Sequence, residues 1–426
     1  MDKTDTVYQL YKQIMETELV PSMGCTEPIA LAYAASRARD MLGRIPEEVE
    51  VSASGNIIKN VKSVVVPNTG GQKGVEAAVA AGIIAGRTER GLELLSSVSD
   101  DERQRIMEYI EHSRVTVKRS ESGLAFDILL NARWEDSRVS VRIANSHTNV
   151  VRLEKDGEVF LDLPVHPPGE NTGLDYSALN VESIVTFADA VDISDVKSLL
   201  ERQIVYNSAI ADAGLTGDYG ANIGKVLLHT YGEESVTNRA KARAAAGSDA
   251  RMNGCSLPVV INSGSGNQGI TASVPVIEYA KALGSSREEL YRALIISNLT
   301  TIHLKTGIGR LSAYCGAVSA GAGAGAGIAY LYQGGTKEIA HTIVNALAIV
   351  SGIVCDGAKA SCAAKIASAV DAGILGYSMY KDGQQFRGGD GIVKKGVEAT
   401  ISKVALLGRK GMKETDKEII DIMLGE

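Results

Sequence analysis

Apolar and polar positions recur along this chain with two different periods, and the changes of period divide it. Val7, Leu10, Ile14 and Leu19 stand at near-helical spacing, so residues 5–20 read as an amphipathic helix. After the link Val20-Pro21-Ser22-Met23-Gly24, a second helix is expected from Thr26-Glu27-Pro28. Pro28 suits its first turn, and Gly43 ends it after Leu42. The period then falls to two. Residues 49–54 alternate as a strand does, as do 61–66, 114–118, 125–132, 138–144 and 150–153, and Asp156-Gly157 supplies a hairpin turn into 158–161. A small-residue helix over 74–85 and an acidic one over 99–112 interrupt this pattern.

Residues 164–175, with Pro164, Pro167 and Pro168, read as a linker. Beyond it the period is helical again, over 177–190, 193–213, 223–231, 236–252, 287–301, 317–332, 337–349, 359–372 and 391–405. The fold class expected is α+β. A mostly helical catalytic domain, 1–45 plus 176–426, carries an inserted smaller α+β domain with its linker, 46–175. Leu311 to Gly335 holds no charge, but its centre from Gly316 to Gly327 is almost wholly Ala and Gly. That is too weakly hydrophobic to drive insertion, so a buried core helix is expected there instead of a membrane span.

Composition changes this picture little. Apolar residues at 45% and charged residues at 22% are ordinary for a globular chain, and the length of 426 residues suits two or three domains. A net charge of −7 argues against nucleic acid or an anionic membrane as the main partner. The start, Met-Asp-Lys-Thr-Asp, has no apolar stretch behind it, so the expected location is the reducing cytoplasm. The five cysteines then read as core thiols, ligands or nucleophiles instead of a disulfide framework. Ala/Gly helices permit close packing within a chain or between the two chains of a homodimer.

Candidate chemistry sits in the cysteines and in three polar loops. Cys355 and Cys362 lie seven apart; as a helix they would share a face, and a break at Gly357 would let them converge. Cys315, Cys355 and Cys362 are either core thiols or part of a thiolate set, and zinc is the weaker choice because no Cys-x-x-Cys pair exists. Cys25 precedes a helix whose free amides would lower its thiol pKa, against Glu27 nearby. The loop 262–269, Asn-Ser-Gly-Ser-Gly-Asn-Gln-Gly, can present amides to a carboxylate or phosphate. Asn145-Ser146-His147-Thr148-Asn149 offers hydroxyl donors and an imidazole, and 67–74 offers amides with Lys73.

Gly24-Cys25-Thr26-Glu27-Pro28, Pro67 to Gly74, Ser146-His147-Thr148, Ser263 to Gly269 and the later cysteines together resemble the L-cysteine desulfidase family, within the wider group of iron–sulfur L-serine dehydratases. The resemblance spans nearly the whole chain, and the spacing of Cys315, Cys355 and Cys362 is its most specific part. It implies an oxygen-sensitive 4Fe–4S cluster held by those three residues, with one iron open to substrate. It implies Cys25 as catalytic base, and Ser146, His147, Thr148, Asn267 and Gln268 at the substrate, with a looser carry-over for Thr69 and Lys73. The implied reaction converts L-cysteine to pyruvate, sulfide and ammonia, with L-serine dehydration on the same cluster as the alternative. The serine dehydratases place a further cysteine near the C-terminus, where this chain reads Ile422-Met423-Leu424-Gly425-Glu426; that difference points toward the desulfidase branch. Two other readings stand beside it: a pyridoxal-phosphate lyase using Lys305 or Lys359, and a non-catalytic metabolite-binding or redox-sensing protein. No role is assigned to Cys255 beyond a core thiol or cluster neighbour.

Overall fold

The two hydrophobic periods become two cores. In the computed structural model, which describes residues 1–112, 114–165 and 174–425, the first elements are α1 (Thr6–Glu18), β1 (Pro21–Met23), α2 (Thr26–Leu42) and β2 (Glu48–Ala53). Then come α3 (Gly55–Val61), α4 (Gly74–Ala85), α5 (Asp100–His112), β3 (Arg114–Arg119), β4 (Asp127–Trp134), β5 (Ser137–Ala144), β6 (Val150–Lys155) and β7 (Glu158–Asp162). Strands β2 to β7 form one sheet in the order β3-β2-β4-β5-β6-β7, parallel between β2 and β3 and antiparallel elsewhere. Alternation sets its faces: Val51 pairs with Leu130, and Leu130 with Val141, all buried on one side under α2 and α4. The opposite side is a solvent-facing groove of about 1030 Å³. Arg114 and Arg133 there reach Glu48 at 3.1 and 2.8 Å, so its central charges answer one another.

The helical part follows: α6 (Val181–Ala190), α7 (Ile193–Thr216), α8 (Ile223–Tyr231), α9 (Val236–Met252), β8 (Pro258–Val260), α10 (Gly266–Leu283) and α11 (Arg287–Ile308). It continues with α12 (Gly316–Leu331), α13 (Thr336–Val350), α14 (Cys362–Lys381), α15 (Val397–Leu406) and α16 (Lys413–Leu424). The fold is therefore α+β and mostly helical. The uncharged stretch forms α12, buried along nearly its whole length, and among the described residues no helix is long and apolar enough to cross a membrane.

Glycines let α12 sit between two neighbours at backbone distance. A Cβ on Gly321 would lie 2.3 Å from the Ala369 carbonyl oxygen of α14, and one on Gly323 would lie 2.2 Å from Thr301 Oγ1 of α11. Gly325 meets Gly373 in the same way one turn on. Because Gly321 matches Ala369 and Gly325 matches Gly373, α12 and α14 run parallel, and their N-termini lie at the same end.

Several expectations need correction. Residues 61–66 are not a strand: Val61 ends α3, and Val65 makes a single bridge to Lys73. Helices α3, α10 and α16 were not foreseen, and α14 begins at Cys362, three residues later than expected. Residues 26–42, grouped by sequence with the helical part, pack instead into the sheet-side core against α4, β4 and β5. Most of the expected linker, 166–173, lies outside the described residues. The tightness of the α12–α14 crossing is testable. Gly321→Val should lower the thermal midpoint, with a loss of about 1–3 kcal/mol from overpacking; an unchanged midpoint would mean that the helices can separate freely.

Candidate functional site

Short β1 and β8 build the first half of the site. Pro21 pairs with Val260 and Met23 with Pro258, which lays the segment after β1 beside the polar loop after β8. Thr26 Oγ1 donates to the Gly264 carbonyl at 2.9 Å and fixes the two together. Gly24 has φ +53°, and a Cβ there would collide with Pro67, so the turn leading to Cys25 tolerates no side chain at that position. Cys25 is the N-cap of α2 and is buried. Its thiol donates to Met252 Sδ at 3.6 Å, and Asn267 Nδ2 meets the same sulfur at 3.6 Å.

The helix terminus does not decide the state of this thiol. Burial pushes Cys25 up to about 12, only partly opposed by Arg251. The expectation of a lowered thiol is thus reversed, because desolvation of the charged form outweighs a helix dipole.

The second half is built by α12 and α14. Cys315 is the N-cap of α12 and Cys362 opens α14, so the parallel packing brings both to one end. Tyr314 bridges Val354, and Cys355 N donates to the Ala313 carbonyl at 2.6 Å, which sets Cys355 across from Cys315. Gly357, at φ +90°, breaks the chain between Cys355 and Cys362 and rests on the Lys59 carbonyl. Cys362 in turn packs against the small cluster of Cys25, Val64 and Met252. All four sulfurs therefore face one region.

The donor set fits an iron–sulfur cluster. Burial pushes the Cys315 thiol up to about 12, with Cys355 and Cys362 adding to the shift, and burial is also the main cause of the raised Cys362 thiol. Such thiols are poor lone thiolates, and a bound cation reverses that preference. Among the described residues, no three His, Cys, Asp or Glu side chains stand close enough for a single metal ion. A cluster spreads its thiolates over several irons, so it tolerates wider spacing. Cys355 is braced from behind: buried Lys59 donates to its carbonyl at 3.4 Å and pairs with Asp416 of α16 at 2.6 Å. Lys305, buried on α11, also faces Cys355 and Cys315; burial drives its ammonium down to about 8.

The other sequence candidates divide. His147 is buried, stands edge-on to Phe126, and has Nε2 without a partner. A Cβ on Gly264 would lie 2.9 Å from its ring, so it faces the same loop as Thr26. Gln268 is buried with Oε1 unpartnered, pressed against Gly316 beside Cys315, and Asn267 accepts from Arg251. Ser146 is half-buried next to His147, whereas Thr148 is exposed and lines a separate surface hollow with Tyr33 and Arg37. Thr69 spends its hydroxyl on the Val66 carbonyl at 2.7 Å, and Lys73 is exposed. Cys255 lies in the helical core, against which Tyr219 packs. Lys359 is held by Asp356.

Sequence reading missed Ser22, Arg251 and Arg310. Ser22 Oγ and Arg251 Nε are buried without partners, and Arg310 joins Glu18 at 2.7 Å near Gly264. Arg251 carried a signal: it is the lone cation in the run Ala244 to Met252 of a buried helix. Its neighbour in the site, His147, gives a pH test. Burial, then Arg310 and Arg251, push this imidazole down to about 3. Below about pH 6.5 the unfolded chain binds a proton that the native one refuses, so stability falls with pH. One such group costs about 2 kcal/mol between pH 7 and pH 5. His147→Gln should lose less stability than the parent over that interval in denaturant titrations; equal losses would mean that His147 protonates in place.

Comparison with known proteins gives this architecture a family. The model of the serine dehydratase alpha chain matches residues 89–421. A UPF0597 protein of Desulfitobacterium hafniense is 62% identical over 426 residues, covering 100% of this chain and 99% of its own. UPF0597 proteins of Lachnoclostridium phytofermentans and Finegoldia magna are 51% and 48% identical, covering 98% and 97% of this chain and 100% and 99% of theirs. With more than half of its length under one family description, and relatives matched end to end, the chain belongs to the serine dehydratase alpha chain family.

Proposed function

We propose that the protein is an iron–sulfur-dependent lyase that converts L-cysteine to pyruvate, sulfide and ammonia. The observation that carries this reading is the convergence of Cys315, Cys355 and Cys362 beside Cys25, at a place where buried polar atoms of His147, Gln268 and Arg251 lack partners. The first three cysteines would hold a 4Fe–4S cluster. When bound, it supplies a Lewis-acidic iron that makes the substrate's β-substituent a better leaving group.

The chain's own groups do the rest. Cys25 takes the Cα proton as general base. Its thiol is protonated in the buried site; a substrate entering with its amine unprotonated takes that proton, which leaves the thiolate beside an α-ammonium that favours it. The loop of Asn267 and Gln268, with Ser146 and His147, orients the amino acid so that this proton faces Cys25. Burial of the wall keeps bulk water away while the β-substituent departs. Elimination leaves an enamine that tautomerises to an imine and hydrolyses to pyruvate and ammonia. Serine dehydration needs the same proton transfer. Cysteine is favoured because the wall beside Cys25 is sulfur, through Met252 and Cys362. Such a wall is soft and polarisable, and it receives a thiol readily.

Cys25→Ser, reconstituted anaerobically, should keep its iron and acid-labile sulfide while pyruvate formation falls about 10²- to 10⁴-fold. Full turnover at normal iron content would remove Cys25 from the mechanism. In the same assay, L-cysteine should outcompete L-serine, and the reverse order would assign the enzyme to serine.

A further inference from the structure

We propose that Arg251 is the counter-ion of the substrate's α-carboxylate and restricts the site to amino acids whose carboxylate is free; the identity of the ligand as an amino acid rests on the lyase reading above. Arg251 is 3% exposed near the end of α9. Its hydrogen bond runs from Nη1 to Asn267 Oδ1, a neutral amide, at 3.1 Å. Its Nε is buried with no partner, and no carboxylate of the described residues reaches the guanidinium. Several other charges near the site are answered: Arg310 by Glu18 at 2.7 Å, Arg142 by Asp127 at 2.9 Å, and Lys59 by Asp416 at 2.6 Å, while buried Lys305 faces the thiols of Cys355 and Cys315 and has its ammonium lowered by burial. A buried cation without an anion is costly, so the site is complete only when an anion enters.

The surroundings say where that anion goes. Arg251 holds Asn267, whose Nδ2 meets Met252 Sδ at 3.6 Å, the same sulfur that receives the Cys25 thiol at 3.6 Å. The open charge therefore belongs to the Cys25 side of the site. Gly266 makes room for it, since a Cβ there would lie 2.2 Å from Nε. That position is the first turn of α10, whose free amides and dipole add to the attraction for an anion. Two residues on, Gln268 Oε1 is a buried acceptor without a donor. A lone donor from α9 and a lone acceptor from α10, both at the first turn of α10, complement the carboxylate and ammonium of an amino acid. Arg310 does not compete for this role, because Glu18 already neutralises it.

Binding to the cluster-free protein tests this without turnover. Anaerobic calorimetric titration should show L-cysteine bound at least about tenfold more tightly than cysteamine, which lacks the carboxylate, through the charge-assisted bond. Arg251→Met should abolish that preference, and Arg251→Lys should restore part of it. Asn267→Asp supplies Arg251 with an internal carboxylate. It should abolish the preference while the thermal midpoint holds or rises, which separates lost binding from lost folding. Either Arg251→Met or Asn267→Asp retaining the parent's preference would overturn the assignment, as would a parent with none. Failure of the loaded parent enzyme to release pyruvate from either amino acid would instead sink the lyase reading and leave this result standing.

Discussion

The backbone-to-backbone approach of α12 and α14 is the constraint on which the rest of the site depends. Cys315 and Cys362 are 47 positions apart in sequence, and each sits at a helix start. What puts them together is not their own chemistry but the Gly321–Ala369 and Gly325–Gly373 contacts about two and three turns further in. Small residues there allow the helices to pack almost without side chains between them, and that contact fixes their relative register. Cys355 then follows, because its bridge to the segment before Cys315 leaves it little freedom. The abundance of glycine, unremarkable as composition, is in this sense a positional device.

A second consequence is electrostatic. The N-termini of α2, α10, α12 and α14 all open on the same region, through Cys25, Asn267 and Gln268, Cys315 and Cys362. Helix starts carry partial positive charge and free amides. Four of them facing one volume favour anions there, whether carboxylate or thiolate. The sheet contributes from the other side, since His147 sits in the turn between β5 and β6 and reaches the loop at Gly264. The site thus lies where the helical core and the sheet-bearing core meet. That arrangement explains why α2, whose N-cap is Cys25, is anchored by its buried alanines in the sheet-side core.

Much of this was legible from sequence where one signal acted alone. Pro28 and Gly43 marked both ends of α2, and Asp156-Gly157 marked the hairpin between β6 and β7. Failures came where signals conflicted. Helix α10 begins in a glycine-rich polar loop and contains Pro275, both of which argue for a break, yet burial on nearly all sides sustains it. The run 61–66 is rich in Val, but it lies between a helix end and a turn, so most of it never meets a partner strand. Candidate residues met a different limit. His147, Gln268 and Cys25 could be singled out by type and neighbourhood. That Thr148 points away and Lys73 is exposed could not, since adjacent positions in a turn face opposite directions. Arg251 was missed because an arginine in a helix usually reads as a solvated face.

Burial and the helix ends work against each other at the thiols, and burial wins. Desolvation raises the Cys25, Cys315 and Cys362 thiols, which favours neutral sulfur beside an arginine that no carboxylate answers. The positive helix ends cannot overcome that cost alone, because a dipole contributes about 0.3–1 kcal/mol while full burial of a charge costs several. A cationic metal centre would change the sign of the problem for Cys315 and Cys362, and a carboxylate would do so for Arg251. Without an anion Arg251 remains a buried charge, whereas the thiols can rest neutral. The rigid crossing of α12 and α14 matters for this reason too. A looser frame would collapse to cover the unpaired groups, and the affinity stored in their lack of partners would be lost.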